Sequence, residues 1–231
     1  MIQKEYLMVL EMKYLISSKR INGKHDIKDK CDPAYSIYFD IFNIELEAIP
    51  NLIDTTSLKD LYTDDFDGII LSGSGDIKIN DDLVPENKSC QYSKERDNTE
   101  NFLIELAVER KKPLIGICHG MQKINEYFGG ILSPYYHCKP NTYSEQGIEH
   151  NVSVNHEFLD ANKEYIVNQY HDHCILEHNL AKNMKIFAID PRFNTVEGFC
   201  NMNMRILCMQ WHPERSISDN MLSNTMLEKF I

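Results

Sequence analysis

The hydrophobic positions of the chain alternate between short continuous apolar runs and longer segments with helical spacing. Three runs are almost free of polar residues and predict buried strands: KYLISS (13–18), DGIILSG (67–73) and LIGIC (114–118). Helical spacing predicts helices over PAYSIYFDIFNIELEAI (33–49), NTENFLIELAVERKK (98–112) and HGMQKINEYF (119–128). This alternation is typical of βαβ units, in which helices cover a parallel sheet.

The second half of the chain has a different pattern. A segment rich in proline, tyrosine and asparagine, 131–147, predicts a long surface loop. Short alternating runs then predict strands over 150–155, 164–171, 185–190, 196–201 and 205–212. The segment 217–231 predicts a C-terminal helix with Ser218 as its N-cap. The whole pattern predicts an α/β fold: a flavodoxin-like, open, mostly parallel sheet flanked by helices, with additional short antiparallel strands in the second half.

The predicted sheet also sets the domain boundaries. Because a sheet of this kind usually starts with its first strand, residues 1–11 are interpreted as an N-terminal extension and residues 12–231 as a single domain. A chain of 231 residues with 42% hydrophobic content is large enough for one substantial core.

Charge and hydropathy narrow the function classes. The 35 acidic residues outnumber the 24 basic ones and give a formal net charge of −11, which argues against nucleic acid or an anionic membrane as a partner. No apolar run approaches the roughly 18 residues that a membrane span needs, and the N-terminus does not resemble a signal peptide. The expected location is therefore the cytoplasm.

The seven cysteines form an odd set with no CxxC pair and no regular spacing, so we expect no disulfide framework. In a reducing compartment most of them should be small buried hydrophobic residues. They are Cys31, Cys90, Cys118, Cys138, Cys174, Cys200 and Cys208. Only the local context can select one of these thiols for chemistry.

The context of Cys118 is distinctive. In PLIGICHGMQ it lies between Gly116 and Gly120, where a buried strand passes into a helix. A nucleophile on such a tight turn is raised above the sheet, and the glycines avoid collisions across the turn. The N-terminus of the following helix favours a thiolate, and its backbone N–H groups can donate to an oxyanion. The alternative is that Cys118 is one more buried thiol at the end of a strand.

A thiolate needs a base, and the base needs a group that orients it. The strand RILCMQWHPE supplies both: His212 at its end, then Pro213 and Glu214. The proline fixes the backbone so that the carboxylate can hold one imidazole nitrogen while the other faces the thiol. Alternatively, His212 simply ends a strand. In an open parallel sheet the residues that follow two strands meet at the same carboxyl edge, which favours the catalytic interpretation.

These motifs resemble a known family. GICHGMQ followed by QWHPE is similar to the class I glutamine amidotransferases, and more narrowly to their gamma-glutamyl-gamma-aminobutyrate hydrolase (peptidase family C26) branch. Arg96, Asp97 and Glu100 followed by KKPLIGICHGMQKINEYFGG cover that branch's pattern around the nucleophile almost continuously. GIILSGSGD also resembles its glycine-rich oxyanion loop, and VNQYHDHCI resembles a segment near its substrate. The likeness runs from about Met12 to the C-terminus.

The resemblance implies a role for each matching residue. The catalytic residues would be Cys118, His212 and Glu214; the oxyanion hole would use the N–H of His119 with one from Gly73 or Ser74; the substrate contacts would be Gln122, Tyr170 and His171. The substrate contacts have simpler alternatives, because Gln122 could be an exposed helix residue and the other two ordinary strand-end residues.

The chain departs from the family pattern at two of these positions. His119 replaces the usual arginine, and Ser74 replaces a glycine of the oxyanion loop. A backbone donor survives either change, but the role of the arginine side chain is left open. Because the helix directs adjacent side chains apart, we do not expect His119 to be the base.

The implied reaction is hydrolysis of a gamma-glutamyl amide of a small molecule, through a gamma-glutamyl thioester on Cys118. We expect no cofactor and no metal, since His137, His150, His171 and His173 lack a tight ligand set and HDH is only a weak zinc-like pattern. Alternatives are a hydrolase of gamma-glutamyl nucleotide amidates in capsule sugar modification, a glutaminase subunit that feeds ammonia to a synthase, and a non-enzymatic or redox-sensing relative. A homodimer is compatible with the sequence, but nothing in it specifies one.

Overall fold

The computed structural model describes residues 11–22, 26–56, 58, 62, 65–73, 75, 92–134, 147–215 and 217–231. Most of the predicted extension lies outside these residues. So do Ser74, Cys90, His137, Cys138 and most of the predicted loop over 131–147.

The elements follow one another from the N-terminus as strands with a few helices between them. The first half has β1 (Met12–Ser17), β2 (Lys19–Asn22), β3 (Ile27–Lys30), α1 (Pro33–Asp40), β4 (Ile44–Ile49), β5 (Gly68–Leu71), α2 (Lys94–Arg110), β6 (Leu114–Ile117) and α3 (His119–Tyr127). The second half has β7 (Ser133–Pro134), β8 (Ile148–Val154), β9 (Tyr165–Gln169), β10 (His173–Cys174), a 3₁₀ turn (Glu177–Asn179), β11 (Lys185–Asp190), β12 (Thr195–Asn201), β13 (Ile206–Met209) and α4 (Met221–Phe230).

Within the described part of the chain, nine strands form one mixed sheet in the order β4-β1-β5-β6-β13-β12-β11-β8-β9. The first five strands in this order run parallel to one another, and the remaining pairs, from β13 with β12 onward, are antiparallel. Counted along the chain, the parallel strands have the order 2-1-3-4-5 of flavodoxin-like sheets. The predicted open sheet with antiparallel strands from the second half is confirmed.

Burial on both faces explains the sequence pattern of the central strands. β5, β6 and β13 are buried at every position, because one hydrophobic cluster covers each face of the sheet. A strand buried on both faces has no polar alternation, which is why these strands were readable from the sequence. Among the described residues, no helix is long and apolar enough to cross a membrane.

The predicted helix over 33–49 is wrong in its second half. The helix α1 ends at Asp40, Asn43 turns the chain with φ 55°, and residues 44–49 form the edge strand β4. Every residue of β4 pairs with β1. The segment IELEAI fits either period because it is so short, and pairing with a neighbouring strand decided between them.

Two helix starts also differ from the prediction. The helix α2 begins at Lys94, four residues before the predicted start at 98, and the Ser93 side chain caps it by accepting from the N–H of Arg96. The helix α4 begins at Met221, after Asn220. Ser218 is therefore not its cap; its N–H and hydroxyl instead bind the Glu149 carboxylate.

The cysteines largely behave as expected. Cys118, Cys200 and Cys208 are buried free thiols, and Cys31 is a partly buried one. Cys174 is disulfide-bonded, which departs from the expectation of reduced thiols.

Candidate active site

Cys118 lies on a strained turn between β6 and α3. Its backbone has φ 52° and ψ −103°, in the positive-φ region that residues other than glycine seldom adopt. A Cβ on Gly120 would lie 2.1 Å from the Leu71 carbonyl oxygen, and one on Gly116 would lie 2.8 Å from the Met121 nitrogen. Both glycines are therefore needed for the tight passage from strand to helix, as the sequence predicted.

His212 and Glu214 are brought to the same place by the end of β13. The parallel pairing of β13 with β6 sets Met209 opposite Ile117, so the chain beyond each strand emerges at one edge of the sheet. Nδ1 of His212 lies 2.6 Å from Oε1 of Glu214, and both side chains are almost fully buried. The structure thus places the carboxylate on one ring nitrogen of His212.

The electrostatics of His212 depend on Cys118. Burial alone would lower the pKa of His212, but the charge and hydrogen bond of Cys118, together with Glu214, raise this pKa to about 9. The imidazole is therefore protonated at neutral pH and lies between the Cys118 side chain and the Glu214 carboxylate.

Asn168 fixes the backbone of His212 and was not among the predicted site residues. Its side-chain amide donates to the carbonyl oxygen of His212 at 2.8 Å, and its oxygen accepts from the His212 N–H at 2.9 Å. Both bonds are buried. The sequence signal for Asn168 is its place in the motif VNQYHDHCI, two residues before Tyr170.

The glycine-rich turn after β5 packs directly on the imidazole. A Cβ on Gly73 would lie 2.3 Å from Cε1 of His212, so only glycine fits there. The N–H of Gly73 donates to the Tyr35 hydroxyl at 2.8 Å, and the nearby Glu214 charge adds to the burial that raises the pKa of Tyr35. Tyr35, on α1, was not predicted. Ser74, the other predicted donor of this loop, lies outside the described residues.

The side chain of His119 is directed to α2. Its Nε2 lies 2.8 Å from Oε2 of Glu100, whose Oε1 is 2.8 Å from Nε of Arg96. Arg96 in turn donates to the Ser72 carbonyl oxygen, next to Gly73. These buried groups connect the helix that follows Cys118 with the glycine-rich turn, and they direct the His119 ring to Glu100.

Gln122 is buried rather than exposed. It lies in the first turn of α3, and its side-chain amide donates to Oε1 of Gln210 at 3.3 Å. Gln210 follows β13 directly, so this contact joins the turn after Cys118 to the segment that carries His212. The exposed-helix alternative for Gln122 is therefore excluded by its burial.

Tyr170 and His171 face different neighbours. The Tyr170 ring lies edge-on to His212 with 5.5 Å between centroids, and the Arg215 guanidinium stacks on it at 4.2 Å. His171 instead donates through Nδ1 to the His173 carbonyl oxygen, and its Nε2 lies 3.9 Å from Oε2 of Glu197. Tyr170 thus borders the candidate site, whereas His171 is turned toward the antiparallel half of the sheet.

Comparisons with known proteins agree on the kind of molecule. The sequence model of the Peptidase C26 family matches residues 43–214. Gamma-glutamyl-CDP-amidate hydrolase of Campylobacter jejuni subsp. jejuni serotype O:2 is 30% identical over 161 residues, 70% of this chain and 67% of that protein. Gamma-glutamyl-gamma-aminobutyrate hydrolase of Escherichia coli O157:H7 is 27% identical over 202 residues, which cover 80% of this chain and 78% of that protein.

A solved structure shows the same fold at low identity. The glutaminase domain of Trypanosoma brucei CTPS with bound acivicin superposes with a TM-score of 0.63 at 15% identity, covering 95% of this chain and 92% of that one. The likeness therefore extends over the whole sheet, including the antiparallel strands of the second half.

Proposed function

Because the chain belongs to the Peptidase C26 family of glutamine amidotransferase-like hydrolases, we propose that it cleaves a gamma-glutamyl amide of a small molecule through a thioester on Cys118. The observation that carries this proposal is the position of His212. It lies between the Cys118 thiol and the buried Glu214 carboxylate, and its pKa is raised to about 9. An imidazolium at that position has a proton to give to a leaving nitrogen.

In the first step the Cys118 thiolate attacks the side-chain carbonyl carbon of the glutamyl group. The carbonyl oxygen becomes an oxyanion, and the N–H of His119 at the start of α3 is its proposed donor. As the C–N bond breaks, His212 transfers its proton to the leaving nitrogen, and the amine departs. A gamma-glutamyl thioester and a neutral His212 remain.

In the second step His212 takes a proton from water, whose oxygen attacks the thioester carbonyl. Collapse of this intermediate breaks the C–S bond and returns the thiolate and the imidazolium, with glutamate released. Glu214 holds Nδ1 throughout, so Nε2 is the nitrogen that gives and takes the proton.

The second oxyanion donor has a specific requirement. Because the N–H of Gly73 is already bound to Tyr35, that turn must rotate to donate from Gly73, or Ser74 must supply the donor. We propose Gln122 and Tyr170 as groups that border the glutamyl site, since one lies a helical turn after Cys118 and the other packs on His212. His171 is proposed only as a support on the far side.

A second candidate substrate is a gamma-glutamyl nucleotide amidate. It is favoured by the likeness to the Campylobacter jejuni gamma-glutamyl-CDP-amidate hydrolase, which covers about two thirds of both chains. The chemistry at Cys118 would be the same, and only the leaving group would differ.

The purified chain alone tests the proposal. Glutamate release should be measured with gamma-glutamyl-gamma-aminobutyrate, a gamma-glutamyl nucleotide amidate and glutamine, with intact-mass detection of a glutamyl adduct. Cys118→Ala should abolish both release and adduct, whereas Cys208→Ala, at a buried thiol outside the site, should retain them. Activity that appears only with an added synthase would favour the glutaminase alternative, and hydrolysis by Cys118→Ala would contradict the mechanism.

A further inference from the structure

The antiparallel half of the sheet contains a buried cluster of ionisable side chains that the proposed hydrolysis does not use. His150 lies on β8, Asp190 ends β11 and Glu197 lies on β12. These strands are consecutive neighbours in the sheet, so each delivers one side chain to the same point. No more than 2% of each side chain is exposed.

The groups face one another without bonding. Nε2 of His150 lies 3.7 Å from Oδ2 of Asp190 and 4.0 Å from Oε2 of Glu197, beyond hydrogen-bond distance. Both ring nitrogens of His150 and Oε2 of Glu197 have no hydrogen-bond partner among the described residues. Polar atoms buried in this way cost free energy unless a ligand or water satisfies them.

The separations suit a metal ion. One ligand atom from each residue lies within 4.8 Å of the others. A point equidistant from three such atoms lies about 2.2 to 2.5 Å from each, and a small contraction gives the roughly 2.0 to 2.2 Å bonds of zinc to nitrogen and carboxylate oxygen. A coordinate shift of a few tenths of an ångström in the side chains is therefore sufficient.

The charge state of the cluster also suits a cation. Burial and the charge of Asp190 raise the pKa of Glu197 well above its usual range, and burial lowers the pKa of His150 to about 4 despite Asp190. Metal ions bind imidazole nitrogen and carboxylate oxygen, and a cation at this point would offset the charge of buried carboxylates. Arg192 donates to both oxygens of Asp190, including Oδ2 at 2.7 Å, and so balances one of the two carboxylates.

We propose that His150, Asp190 and Glu197 form a binding site for a divalent transition-metal ion of the zinc type. One imidazole nitrogen and two carboxylate oxygens suit Zn²⁺, Mn²⁺ or Fe²⁺ better than Ca²⁺, which takes oxygen ligands only. The ion would join β8, β11 and β12 and stabilise the antiparallel half. This site does not depend on the proposed hydrolase activity.

Two neighbours border the site. Since a carbonyl oxygen can only accept, His171 donates from Nδ1 to His173, and its Nε2 lies 3.9 Å from Oε2 of Glu197. Arg192 has 39% of its side chain exposed and binds Asp190.

Metal binding by the full chain tests the proposal. Protein treated with a chelator and desalted should take up one Zn²⁺ or Co²⁺ per chain, retain it through gel filtration and melt several degrees higher. Bound Co²⁺ should give the visible absorption of a four- or five-coordinate nitrogen and oxygen site. Binding of less than one ion per chain, with no change in melting temperature, would overturn the site.

Matched variants locate the ion. Glu197→Gln keeps the shape of the neutral side chain and should lose at least tenfold in Zn²⁺ affinity, as should His150→Ala. His178→Ala removes an exposed imidazole outside the cluster and should bind as the wild type does. Unchanged affinity in both cluster variants would place the ion elsewhere and refute the proposal. If neither variant folds, the wild-type stoichiometry and Co²⁺ spectrum decide.

Discussion

Two buried glutamate–histidine pairs flank Cys118, and their surroundings differ. In one, Glu214 lies 2.6 Å from His212, and the nearest Arg215 nitrogen is 3.9 Å from that carboxylate. In the other, Glu100 lies 2.8 Å from His119 but is also bound by Arg96 at 2.8 Å and by the Ser17 hydroxyl at 2.9 Å.

The difference in charge partners separates the two pairs chemically. Burial alone would raise the pKa of Glu100, but the charges of Arg96 and His119 and their hydrogen bonds lower it to about 2. Its negative charge is therefore shared with a permanent cation. The Cys118 side chain and the Glu214 charge together raise the pKa of His212 to about 9. The same two residue types thus form a pair bound to a permanent cation in one place and a protonated imidazole beside a carboxylate in the other.

Substitution of the two histidines should separate the two pairs most clearly, through different losses in kcat/KM. His212→Gln should lower kcat/KM for a gamma-glutamyl amide by about 10³-fold or more, because the proposed acid and base is lost. His119→Gln keeps the backbone N–H and an amide that can bind Glu100, so we expect a loss of about tenfold. Steady-state kinetics on the two variants measures the ratio, and equal losses would contradict the assignment of different roles.

The second prediction concerns the stability contributed by Glu100. Its pKa is lower in the folded state than the ordinary value, so its stabilisation is present above about pH 4.5 and fades as the pH falls toward 2. Glu100→Gln should cost on the order of 3 kcal/mol of unfolding free energy at pH 7. Urea unfolding at several pH values measures this, with Glu105→Gln, exposed on the same helix, as the control. If Glu100→Gln unfolds with the same free energy as Glu105→Gln, the Glu100 charge does not stabilise the fold and the prediction is contradicted.

The third prediction concerns pH. The pKa of His212 is raised, so the imidazolium is present at neutral pH and is lost as the pH rises through about 9. We expect kcat/KM to fall above that pH. Glu214→Gln should lower kcat/KM by about 10²-fold and move this limb to lower pH, because one of the charges that favour the imidazolium is gone. If the alkaline limb of the kcat/KM profile stays at the same pH in Glu214→Gln, a group other than His212 is responsible for it. Glu228→Gln, at an exposed position, serves as the control.

Loss of the Asn168 side chain should lower the activity less than the substitutions of His212 and Glu214 above. Asn168→Ala removes the two hydrogen bonds that hold the backbone of His212, so we expect kcat to fall about tenfold with little change in KM. The exposed Asn151→Ala on β8 should have no effect. A change in KM without a change in kcat would show that Asn168 acts on substrate binding instead of on the position of His212.

Sequence patterns predicted an element correctly where its conformation depends on the residues within that element. The strands buried on both faces have unbroken apolar runs, and the turn at Cys118 requires glycines on both sides, so each was visible in a few residues. The edge strand β4 was mistaken for helix, since a six-residue segment with alternating polarity acquires its conformation by pairing with β1. Ser218 was wrongly predicted as the N-cap of α4, since its hydroxyl binds Glu149, a residue far away in the chain.

The parallel sheet, the turn at Cys118 and the adjacency of His212 and Glu214 can be predicted from the amino-acid sequence, because they follow from burial, glycine geometry and residue spacing. The surroundings of these residues depend on the folded chain: Tyr35 accepts from the N–H of Gly73, Asn168 holds the backbone of His212, and Glu100 lies between Arg96 and His119. The fold also brings together His150, Asp190 and Glu197 from three strands. Such contacts join residues that are far apart in the chain, and the pKa of a buried group depends on all its neighbours at once.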